Sequence, residues 1–90
     1  MPVLDDATLQ EVARLMLSVQ MQLESRGYRR QLVRAGIRRA RGMAMDKTKF
    51  LSPAIYSRGF LDCLKAELVH VQTWLDQERS IAEAPVSAHI

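Results

Sequence analysis

The side chains capable of nucleophilic or general-base chemistry are few: one cysteine, Cys63, and two histidines, His70 and His89. Cys63 and His70 stand seven residues apart. On a helix that spacing keeps them on nearly one face but about 10.5 Å apart along the axis. A thiolate–imidazole couple needs a direct hydrogen bond, so the two read as a small buried thiol and a surface histidine. His89 follows Pro85 in a tail expected to be flexible and solvated. One Cys and two His cannot complete a four-coordinate structural zinc site. No Gly-rich phosphate loop, HExxH pair or nucleophile elbow occurs. Asp5-Asp6 reads as negative charge placed favourably at a helix start, and the five methionines as core filler or as the lining of an adaptable groove. The expectation is a protein that is not an enzyme, with no catalytic residues, no metal and no cofactor.

The chemistry that the sequence does concentrate is guanidinium chemistry. Arg outnumbers Lys ten to three. A GC-rich gene, bacterial or phage, would account for the ratio but not for where the arginines sit. Residues 26–49 hold Arg26, Arg29, Arg30, Arg34, Arg38, Arg39, Arg41, Lys47 and Lys49 against Asp46 alone, a net charge of +8. The remainder of the chain carries −5, so the formal net charge of +3 hides a polarised molecule. At about 100° per residue, Arg26, Arg30, Arg34, Arg38 and Arg41 fall within an arc of about 120° on a helix. Like charges at a spacing of four repel by a few tenths of a kcal/mol per pair. Acids elsewhere in the fold must answer the stripe, or an anionic partner must. Glu67, at the margin of an apolar face, is the best internal acceptor, with Arg29 or Arg39 its expected partner. The stripe matches a polyanion: each guanidinium can hold a phosphate and release a counterion. Only Tyr28 could stack on a base within the segment, which argues against single-strand reading, and the helix spacing is not that of a helix-turn-helix. An acidic protein surface or a phosphorylated ligand would satisfy the same charges. The candidate binding residues are Arg26, Arg30, Arg34, Arg38, Arg41, Lys47 and Lys49.

The elements that must position these residues are helices. Leu9, Val12, Met16, Val19 and Leu23 recur at steps of three and four, predicting a first helix over about 6–26. Asp5, Asp6 or Thr8 could cap its start, and Gly27 suits its C-terminal stop. A second helix is expected over about 28–45, with Leu32, Val33, Gly36, Ala40 and Met43 on its apolar arc. The short connection favours an antiparallel hairpin. Ser52-Pro53 starts a third helix that carries Leu61, Leu64, Leu68, Val71 and Leu75 and runs over about 53–84. Gly59 is its weak point, where Pro53–Arg58 would part from Phe60–Ala84. The fold class expected is all-α: an antiparallel helical hairpin packed against a longer third helix, one domain over 1–90.

Ninety residues bury roughly 60–65% of the surface that the unfolded chain exposes. The third helix is too long for the hairpin to cover. Leu17, Met21, Val69 and Trp74 are therefore expected to form an oligomer or partner interface. No apolar run is long enough to span a membrane, and the start of the chain lacks the pattern of a secretory signal. With a lone cysteine, the cytoplasm is the expected location. Two functions are expected from this pattern. The leading one is a small binding protein docking its arginine face on an acidic partner, nucleic acid or a nucleic-acid-binding complex favoured. The other is a structural or chaperone-like interaction module working through exposed apolar stripes.

Overall fold

A computed structural model describes residues 3–82, and these are all-helical, with no strand among them. The helices are α1 (Asp6–Ser25), α2 (Arg30–Thr48), α3 (Pro53–Leu68) and α4 (Val71–Ala82). The tail after Pro85, with His89, lies outside the described residues.

Local chemistry explains each boundary. Asp5 caps α1: its carboxylate accepts the Thr8 N–H at 2.7 Å, satisfying one of the donors a helix start leaves free. The Asp5 N–H in turn donates to Ser57 Oγ at 3.0 Å, tying the start of α1 to α3. α1 ends at Gly27, whose φ of +93° lies where a Cβ is disfavoured. Tyr28 N–H then reaches back to the Leu23 carbonyl at 3.1 Å. α2 starts two residues later than expected and continues to Thr48. Arg26, expected at the end of the first helix and counted into the arginine arc, is the C-cap of α1 and does not extend the arginine face of α2. Pro53 opens α3 at its first position with Ser52 as the cap residue, although the Ser52 hydroxyl makes no capping bond.

The third helix is interrupted, but not at Gly59. Gly59 lies within α3, and a Cβ there would meet Leu51 Cδ1 at 2.4 Å. It gives the loop leucine room against the helix. The interruption comes at Val69-His70. There the helical ladder tightens to a bond from His70 N–H to the Glu67 carbonyl and resumes with Trp74 N–H to the His70 carbonyl, both 3.0 Å. β-Branched Val69 and Val71 flank that point, and such residues resist helical crowding.

α2 is the hub. It packs most extensively on α3, then on α4, and on α1. α1 lies across α2 and α3, with its Asp5 end at Ser57 and its Leu23 end beside Leu68 and Gln72. It therefore runs parallel to α3. The core is built from Val12 and Leu23 of α1, Val33, Ile37, Ala40 and Ala44 of α2, Tyr56, Phe60, Leu64 and Leu68 of α3, and Val71 and Leu75 of α4. Val71 and Leu75 are buried, so the far end of the long third helix is covered within the fold. Gly36 lets α2 close on α4: a Cβ there would lie 2.9 Å from Val71 Cγ1 and 3.3 Å from Trp74. Trp74 is half-buried in that contact rather than displayed.

The described residues extend 56 × 28 × 17 Å with a radius of gyration of 15.8 Å. A compact globule of this length would have a radius of about 12 Å. The molecule is flat and elongated, so a large part of α1 stays uncovered. Among the described residues no helix is long and apolar enough to cross a membrane.

Candidate functional site

The basic residues singled out from sequence separate into three groups. Arg26, Arg30 and Lys47 are held by polar partners. Arg26 donates to Gln72 Oε1 at 2.6 Å across to α4. Arg30 forms an ion pair with Glu24 at 2.6 Å. That pair holds the Glu24 carboxyl below the ordinary carboxylate range, the hydrogen bond from Arg30 being the main cause. Lys47 pairs with Glu67, whose side chain is nearly buried. Glu67 therefore takes its charge from the last turn of α2, not from Arg29 or Arg39. Its hydrogen bond raises the Lys47 ammonium above the ordinary lysine value.

Lys49 forms a second case. It lies just beyond α2, with its ammonium 5.2 Å from the Phe50 ring centre. Two arginines outside the set engage aromatic faces in the same manner: Arg39 over Trp74 at 5.6 Å and Arg79 over Tyr28 at 4.6 Å. The Tyr28 hydroxyl donates to Asp76, and that bond raises the phenol above its ordinary value.

The third group is Arg34, Arg38 and Arg41. All three are exposed, and none forms an ion pair with a described residue. They border one groove between α1 and α2, of about 520 Å³, whose floor is Ala13, Met16, Leu17 and Ile37. A second depression of about 500 Å³ continues it toward the start of α1, sharing Ala13, Met16 and Arg41 and adding Leu9 and Met45. The site is thus an apolar trough with guanidinium groups spaced four and three residues apart along one edge. α2 positions them because Val33, Gly36, Ala40 and Ala44 face the core, which turns Arg34, Arg38 and Arg41 outward beside α1.

Of the expected interface residues, Leu17 and Met21 are 56% and 61% exposed on α1, and Leu17 lines the trough. Val69 is 75% exposed, but at the α3–α4 interruption beside a separate cleft between α1 and α3. Met45 is one of the methionines that the sequence offered as core filler or as groove lining, and it lines the second depression; Ile37 was not among the expected surface residues. On the wheel Ile37 falls between Val33 and Arg30, inside the arc that the sequence assigned to the arginines, so a two-sided reading of the helix hides it.

Cys63 is half-buried and His70 exposed. Among the described residues no group of three or more His, Cys, Asp or Glu could hold a metal ion. No protein-family model, curated protein or solved structure matches this chain.

Proposed function

We propose that this is a small non-enzymatic binding protein that docks an acidic macromolecule on the arginine edge of α2. One observation carries the reading: Arg34, Arg38 and Arg41 converge on one surface with no internal ion pair. Among the described residues no buried side-chain nitrogen or oxygen lacks a partner. Three neighbouring guanidiniums without an ion pair cost stability through mutual repulsion, which Glu24 relieves only for Arg34, and an anionic partner removes that cost on binding.

The testing experiment is fluorescence polarisation with two labelled probes, a short DNA duplex and polyglutamate, across a salt series. Binding of either probe should fall steeply with salt. For the duplex, the triple variant Arg34→Gln, Arg38→Gln, Arg41→Gln should flatten the log–log salt slope by about 2–3, near one unit per lost contact. Its helical circular dichroism should be unchanged. Absence of binding to both probes at low salt, or unfolding of the triple variant, would overturn the reading.

A second reading has its own support. Leu9, Leu17 and Met21 are exposed along α1, which suits a structural or chaperone-like module held by apolar contacts. That reading requires complexes insensitive to salt and lost on Leu17→Gln.

A further inference from the structure

Building on the acidic-partner reading, we infer that the occupant of the α1–α2 trough is an amphipathic helix of another protein, apolar on one face and carrying carboxylates along one edge. Three observations on the trough lead there.

The first is shape. From Arg34 to Met45 the groove follows twelve residues of α2, about 16 Å or three turns. That is the length over which a docked helix presents anchors at i, i+3, i+4 and i+7. Two methionines, Met16 and Met45, lie in its lining, and methionine adapts readily to a partner's side chains.

The second is the combination of charge with an apolar floor. Arg34, Arg38 and Arg41 stand on one edge only, beside Ala13, Met16, Leu17 and Ile37. A phosphate backbone would satisfy the arginines and leave the floor bare. A helix with Leu-type residues flanked by Glu at i, i+4 and i+7 covers both, and guanidinium–carboxylate pairs suit such an edge.

The third concerns the most obvious alternative occupant, a second copy of this chain. Between Val12 and Leu23, the stretch of α1 alongside the trough, there is no carboxylate at all. Glu11 is paired with Arg14 and Glu24 with Arg30. A twofold pairing of this face would bring six guanidiniums together with no carboxylate between them, and like charges brought together in this way are strongly disfavoured. This face of a second copy therefore supplies no acid to the trough.

The experiment compares four labelled probes by polarisation against the full chain. They are a synthetic helix with a Leu strip and a Glu edge at the spacing above, a scrambled isomer of the same composition and charge, a charge-reversed helix with Lys in place of Glu, and a short DNA duplex. The patterned helix should bind at least tenfold more tightly than its scrambled isomer. Both Leu17→Gln and the triple Arg→Gln variant should weaken it by tenfold or more. Arg34→Glu, Arg38→Glu, Arg41→Glu together should transfer the preference to the charge-reversed helix, with circular dichroism confirming that the variant is folded. Equal binding of patterned and scrambled peptides overturns the helix inference while leaving acidic docking standing. Tighter binding of the duplex, unaffected by Leu17→Gln, overturns the inference and names nucleic acid as the partner. Failure of every anionic probe overturns both.

Discussion

Glu67 shows how much one side chain can depend on its neighbours. It is 8% exposed on α3, where a lone carboxylate would be expensive. Lys47 crosses from α2 to meet it. Arg34, Arg38 and Arg41, by contrast, are exposed and form no ion pair with a described residue. Two variants separate the cases. Lys47→Met removes the partner of a nearly buried carboxylate, so thermal denaturation should occur at a clearly lower temperature. Arg38→Gln removes only a repelling neighbour, so its melting temperature should be unchanged or slightly higher at low salt. A lower melting temperature for Arg38→Gln would mean that the arginine edge is structural. The sequence made the excess of arginine plain and identified Glu67 as needing a partner. It could not select Lys47, because that choice depends on the approach of two helices separated by a loop.

At the scale of the element, α2 controls the architecture. Its small residues set how near its neighbours come, and its long ones define the exposed edge. Gly36 has Val71 and Trp74 where a side chain would project, and Val71 is a stiff, buried neighbour. Gly36→Val should therefore push α4 away and cost about 1–3 kcal/mol, the usual cost of overpacking, read as a lower urea midpoint. Gly27 acts differently, through its φ of +93°. Gly27→Ala meets no steric obstacle from neighbours, yet it should cost about 1–2 kcal/mol for the left-handed backbone alone. An unaffected midpoint in Gly27→Ala would show that the turn can re-form with another geometry. Both glycines stood out in the sequence, one as a helix stop and one as a site of close approach. Gly59 was read there as a break. Leu51 packs where its side chain would be, a contact that only the folded loop reveals. The true interruption at Val69-His70 carries neither Gly nor Pro, and the apolar three-four pattern from Leu64 to Leu75 runs through it without a change of phase.

For the whole molecule, stability should be bounded at both ends of the pH scale. Asp5, Glu11 and Glu24 have carboxyls held below their ordinary values, by hydrogen bonds from Thr8, Arg14 and Arg30 respectively. Groups lowered in this way contribute fully above the unfolded-state range near pH 4, and the contribution disappears as pH falls through the depressed folded values. Tyr28 and Lys47 are raised, by Asp76 and Glu67. Their contribution is complete below the unfolded-state values near pH 10 and is lost as pH climbs through the raised folded ones. Chemical denaturation should thus give a plateau across neutral pH with a decline on each side. Tyr28→Phe should blunt the alkaline decline, and an unaltered alkaline limb in that variant would remove Tyr28 from the account. What the sequence by itself determined has local causes: helical periodicity, a first helix starting within Asp5–Thr8 and stopping at Gly27, the Pro53 start, and a charge distribution that places +8 within residues 26–49. What the tertiary structure decided is which of those charges remain unpaired and what lies next to them. Helix crossing brings Glu67 to Lys47 and Gln72 to Arg26, and it sets α1 beside Arg34, Arg38 and Arg41 to make a trough. Periodicity is a property of one helix, whereas a groove needs two, and their relative placement is settled only when the shared core packs.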